Sequence, residues 1–146
     1  MIFFTDRDLG SLFPQILSDA GIHVEKHDDH FPNNDTPDAS WLSEVGRNKW
    51  FAISKDKRIR YRQNELNAVM QAGVGLFLVV GKASHREHAE NFVTCINKIE
   101  RFLNKHDPPF IAKVYRPSSE QQRRGSRKKG RVELYLSHEE WSKRGR

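Results

Sequence analysis

The sequence predicts an α/β domain, a twisted parallel sheet with helices on both faces. Apolar, β-prone runs alternate with helical patterns four times before residue 106. Those runs are continuously apolar rather than alternating with polar residues, as strands covered on both sides are. A length of 146 residues suits one domain.

Ile2-Phe3-Phe4-Thr5 is the first strand. Leu12, Phe13, Ile16 and Leu17 then share one helical face, and Gly21 ends that helix. His23 to His27 forms a second strand, and residues 28–37, polar with Pro32 and Pro37, read as a loop. Thr36-Pro37 supplies an N-cap followed by proline at the first helical position, opening a helix through Trp41, Leu42 and Val45 to about residue 48. Trp50 to Ser54 is the third strand, Glu65 to Ala72 a helix, and Leu76 to Val80 the fourth and most apolar strand. One long amphipathic helix spans about Ser84 to Lys105, with Phe92, Ile96, Ile99 and Phe102 at helical spacing, and Pro108-Pro109 breaks it. Phe110 to Tyr115 and Val132 to Leu136 are two further strand candidates, able to pair as a hairpin around an oversized basic loop. There is no internal repeat. Crossovers are expected to be right-handed, and a site is expected beyond the carboxyl ends of the strands.

Composition narrows the function classes. No apolar run reaches the roughly 18–20 residues needed to cross a bilayer, and Asp6 interrupts the N-terminus too early for a signal peptide. Cys95 is the single cysteine, so the chain reads as a reduced, cytoplasmic protein without a disulfide framework or a cysteine zinc module. The net charge of +6 is uneven: residues 1–110 hold 14 basic and 15 acidic side chains, residues 111–146 hold 11 and 4. Arg123, Arg124, Arg127, Lys128 and Lys129 concentrate it, a density that gives sequence-independent affinity for a phosphate backbone or, equally, makes a solvated loop. Lys55, Lys57, Arg58, Arg60 and Arg62 form a second basic cluster directly after the third strand.

Acidic residues gather at the predicted carboxyl rim. Asp6 and Asp8 follow the first strand, Asp56 follows the third, and Asp35 and Asp38 flank the start of the helix between the second and third. Carboxylates converging there need a positive charge among them, and a hard divalent cation with oxygen ligands suits that role. Such an ion activates water and steadies charge on a phosphoryl group, while the neighbouring basic cluster holds phosphates. Each acid also has a plain reading: Asp6 and Asp8 as helix caps, Asp35 and Asp38 as dipole partners of a helix N-terminus, Asp56 as a turn residue.

These stretches resemble the PIN-like domain family, the nuclease fold of VapC-type toxins in type II toxin–antitoxin systems. The resemblance rests on Phe3-Phe4-Thr5-Asp6-Arg7-Asp8-Leu9, Ala20-Gly21-Ile22-His23-Val24, residues 27–32, residues 36–42 and above all Trp50 to Arg60 followed by Glu65. Pro109 to Tyr115 completes it. It implies a PIN-like three-layer fold over residues 1–116, leaving 117–146 as a basic, β-hairpin-like C-terminal extension. It implies a metal-dependent endoribonuclease using Mg²⁺ or Mn²⁺, with Asp6, Asp38 and Asp56 as the principal metal carboxylates and Asp8 and Asp35 as secondary ones. RNA, a small antitoxin protein and a second copy of the chain in a homodimer are the implied partners. Lys57 and Arg58 stand where many members carry a further acid. The alternative is a PIN-like module that binds nucleic acid or protein without catalysis.

Other residues read more plainly. His85 and His88, three apart on a helix, have no third zinc ligand and suit a surface helix. His27 and His30 belong to a polar loop near the rim, Cys95 to an apolar helix face, and Trp41, Trp50 and Phe51 to the core. Tyr61, among arginines, is the aromatic best suited to stacking on RNA. No glycine-bounded serine elbow supports a covalent mechanism.

Overall fold

The computed structural model describes residues 1–32, 37–56, 63–118 and 130–144, with the side chain of residue 38 also outside the description. Six strands form one sheet: β1 (Ile2–Thr5), β2 (His23–Lys26), β3 (Phe51–Lys55), β4 (Gly75–Val80), β5 (Phe110–Tyr115) and β6 (Arg131–Ser137). Their order is β2-β1-β3-β4-β5-β6. The first five run parallel and β6 returns antiparallel to β5. Seven helices surround the sheet among the described residues: α1 (Leu12–Asp19), α2 (His27–His30), α3 (Asp38–Arg47), α4 (Gln63–Ala72), α5 (His85–Thr94), α6 (Ile96–Lys105) and α7 (His138–Arg144).

The period-2 alternation of side chains builds two cores. Phe3, Ile53, Phe77 and Ala112 point to one face, where Phe13 and Leu17 of α1, Phe92 of α5 and Ile99 and Phe102 of α6 close over them. Phe4, Ala52, Leu76 and Ile111 point to the other, beneath Trp41 and Val45 of α3, Leu66 and Val69 of α4, and Trp141 of α7. On that second face α3 and α4 meet closely at Gly46, where a Cβ would lie 2.0 Å from the Ala72 carbonyl oxygen, so no other residue fits.

Four local expectations are corrected. The segment expected to be loop begins with the single helical turn α2, which Arg7 staples down by donating from Nε to Asp28 Oδ1 (2.9 Å) and from Nη2 to the Phe31 carbonyl (3.1 Å). Pro37 is the N-cap of α3 rather than its first helical residue. The expected long helix is two, α5 and α6, broken at buried Cys95. Ile99 and Phe102 of the second half pack into the same core as Phe92 of the first. The chain also adds α7 after β6. Its Trp141 indole donates to Asn67 Oδ1 (2.7 Å), and Leu136 of β6 is fully buried, so residues 131–144 pack on the sheet.

Candidate active site

In the order β2-β1-β3-β4, the connection from β1 runs to β2 on one side and that from β3 to β4 on the other, so a crevice opens at the carboxyl ends of β1 and β3. Of the expected acids, Asp6 and Asp56 leave these two strands at that rim. The Asp6 amide donates to the Ile53 carbonyl (3.0 Å) and the Asp56 amide to the Val79 carbonyl (2.9 Å), extending the ladder one step past each strand and fixing where these residues leave the sheet.

Asp6 does two jobs with its two oxygens. Oδ1 accepts from the Arg7 amide (2.7 Å), capping the short 3-10 turn Arg7–Leu9, while Oδ2 accepts from the Ser54 hydroxyl (2.9 Å). The cap and the site are therefore compatible readings of one residue. That 3-10 turn swings Asp8 back over β3, where its Oδ2 lies 3.2 Å from the same Ser54 Oγ and 3.3 Å from the Lys55 amide. Two carboxylate oxygens thus converge on one hydroxyl, which has a single proton to offer. This donor set, two carboxylates and a hydroxyl, is hard and all-oxygen, and suits Mg²⁺ or Mn²⁺.

Asp56 is on the same rim but differently engaged. Its side chain is only 6% exposed, and Oδ2 lies 3.2 Å from the Lys113 ammonium. Lys113 in turn sits over the Tyr135 ring, 4.4 Å from its centroid. Among the described residues no three His, Cys, Asp or Glu side chains are grouped to hold a metal ion. Asp38 opens α3, with its side chain outside the description. Asp35, Lys57, Arg58, Arg60, Tyr61, Arg62, Arg123, Arg124, Arg127, Lys128 and Lys129 all lie outside the described residues.

The histidines do not join the acids. His27 is buried against Phe4, Phe31 and Trp41, with Nδ1 3.6 Å from Asp28 Oδ1. His30 instead bonds Glu25 (3.1 Å), and that hydrogen bond, aided by His23, holds the Glu25 carboxyl below its ordinary pKa. His88 is buried rather than on the surface, 3.0 Å from the Gly81 carbonyl.

Sequence reasoning missed Ser54, Lys113 and Tyr135. Lys113 left a signal: a lone lysine inside the buried run Phe110-Ile111-Ala112-Lys113-Val114 needs a partner, because buried lysines are almost always paired. Ser54 and Tyr135 left none beyond their strand positions.

A family model described as PIN like domain matches residues 1–81, a stretch that holds α1–α4, β1–β4 and every acid of this rim. No curated protein and no solved structure matches the chain. Among the described residues no helix is long and apolar enough to cross a membrane.

Proposed function

Since the chain belongs to the PIN-like domain family, whose members are generally nucleases, we propose that it is a metal-dependent endoribonuclease and the toxin of a type II toxin–antitoxin pair of the VapC type. The observation that carries this reading is the convergence of Asp6 and Asp8 on Ser54 in the crevice between β1 and β3. In this reading Asp6 and Asp8 hold Mg²⁺ or Mn²⁺, with Asp38 as the third carboxylate and Asp35 as a secondary one. When bound, the ion supplies an activated water and neutralises charge on the phosphate. Water oxygen bonds to phosphorus, one P–O ester bond breaks, and the departing oxygen takes up a proton. Ser54 orients the two carboxylates through its hydroxyl. Lys55, Lys57, Arg58, Arg60 and Arg62 hold flanking phosphates, and the basic segment with Arg123, Arg124, Arg127, Lys128 and Lys129 adds salt-dependent affinity. A small antitoxin protein covers the rim, and the pair acts in the cytoplasm.

A binding module without catalysis is the second reading, favoured by the pairing of Asp56 with Lys113 in place of a third clustered acid. One assay separates them. The nuclease degrades single-stranded RNA with Mg²⁺ or Mn²⁺, stops with chelator, and loses about 10²–10³ in kcat in Asp6→Ala, the scale of removing a key electrostatic group, while circular dichroism stays native. A chain that binds RNA equally well or better after Asp6→Ala, and never cleaves it, is the binding module.

A further inference from the structure

Resting on that nuclease reading, we propose that Lys113 is the phosphate-holding cation of the site and that Asp56 is its seat, so that the centre uses one divalent ion and one built-in ammonium. The motivating observation is a lysine in the wrong place for an ordinary surface role. It interrupts a strand whose neighbours Ile111, Ala112 and Val114 are fully or almost fully buried. It faces the side of the sheet that carries Ile111, because alternate residues share a face.

The register puts it level with the acids. Lys113 pairs with Leu78, and Leu78 pairs with Ser54, the residue on which Asp6 and Asp8 converge. Two strand spacings separate the Lys113 and Ser54 backbones, roughly 10 Å, and Asp56, two residues past Ser54 at the end of β3, has its oxygen 3.2 Å from the ammonium, across β4. The Tyr135 ring, 4.4 Å away on β6, fixes the ammonium from the other side. Lys113 retains 22% exposure although Asp56 keeps only 6%. The lysine side chain is therefore open to solvent at the carboxyl rim, while its counter-charge is almost fully covered.

Chemistry favours this division of labour. An ammonium has three N–H donors, and Asp56 at one distance of 3.2 Å occupies one of them. A divalent ion on Asp56 would have to share its carboxylate with that ammonium and be repelled by it. A phosphodiester under attack by water gains negative charge on its non-bridging oxygens, and fixed positive charge on the side away from the Asp6–Asp8 pair stabilises it.

The full chain tests this through metal stoichiometry and RNA binding. In a calorimetric Mn²⁺ titration the unaltered protein should bind one ion per chain, and Lys113→Met, which removes the ammonium beside Asp56, should bind a second. Without divalent ion, Lys113→Met should bind a single-stranded RNA oligonucleotide about 10-fold more weakly and lower the slope of log K against log salt by about 0.7, the value for one phosphate contact on a single strand. Lys113→Arg should restore most of that affinity. The double variant Lys113→Met/Asp56→Asn leaves no buried charge and keeps the fold in hand; it should bind one Mn²⁺ and show the same weakened RNA binding. Two Mn²⁺ on the unaltered protein, or RNA affinity and salt slope unchanged in the double variant, overturns the assignment. One Mn²⁺ and these RNA effects in a protein that cleaves no RNA support the lysine assignment and overturn the nuclease reading instead.

Discussion

The two faces of this sheet are built from the same strands and end differently. On the α1–α5–α6 face the rows of β4 and β5 stay apolar to the carboxyl edge, where Val79 and Val114 remain in the core, while β1 and β3 end on Thr5 and Lys55. On the α3–α4–α7 face the rows of β3 and β5 turn polar within one alternation, Ala52 giving way to Ser54 and Ile111 to Lys113, while β4 keeps Leu78 in the core. Asp6 and Asp56 extend those polar positions one step past the strands. A parallel strand buried on both sides has only its last residues free to carry chemistry; here β4 and β5 use theirs on one face for packing, while β1, β3 and β5 set Asp6, Ser54, Asp56 and Lys113 on the other. The first face is a platform that fixes the backbone; the second inherits that rigidity for its side chains.

The sharpest way to break this contrast is to damage the platform. Phe77 meets Phe110 at 5.4 Å and Phe102 at 5.9 Å between ring centroids, both edge-on, and is fully buried. Phe77→Ala should destabilise the protein by about 3–5 kcal/mol in urea unfolding, a large part of a typical domain's roughly 5–15 kcal/mol. A loss below about 1 kcal/mol would show that this face is not the stabilising one. Smaller and on the other face, Ser54→Ala should weaken Mn²⁺ binding about 10-fold, the low end for removing a group that orients metal ligands. Urea unfolding without metal should move far less than for Phe77→Ala. If Ser54→Ala leaves Mn²⁺ affinity unchanged, the convergence of Asp6 and Asp8 on its hydroxyl has no bearing on an ion.

That contrast also explains what could be read from the chain beforehand. Strands β1, β3 and β4 were legible because burial on both faces leaves an almost unbroken apolar run, as in Leu76 to Val80. The placement of Asp6 and Asp56 at one rim followed from strand ends in a parallel sheet. The helix break at Cys95 was not legible, since Phe92, Ile96, Ile99 and Phe102 keep one spacing across it. Nor was α2, a turn held by Arg7 from 21 residues away rather than by its own propensity. The partners Lys113, Tyr135 and Asp56 are brought together by register between β5, β6 and the end of β3, and register is a tertiary property that no local pattern states.

The smallest effect sharpens the comparison from the platform side, where a buried histidine lies near the carboxyl edge. His88 on α5 is 1% exposed, and its Nε2–H donates to the Gly81 carbonyl just after β4 (3.0 Å). Burial pushes its pKa below 6.5, against the Gly81 hydrogen bond, with Arg116 adding to the depression. Above pH 6.5 the imidazole is neutral in both folded and unfolded chains and makes no pH-dependent difference. As pH falls below 6.5 the unfolded chain takes up a proton that the folded one refuses, so stability declines until the folded-state pKa is reached. The slope from one proton is at most about 1.4 kcal/mol per pH unit. Urea unfolding of the native chain and of His88→Gln across pH 7.5 to 5 should show a shallower acid decline in the variant, whose side chain does not titrate. Equal slopes would mean that His88 is not held neutral by its burial, and would remove the one titrating group assigned to the packing face.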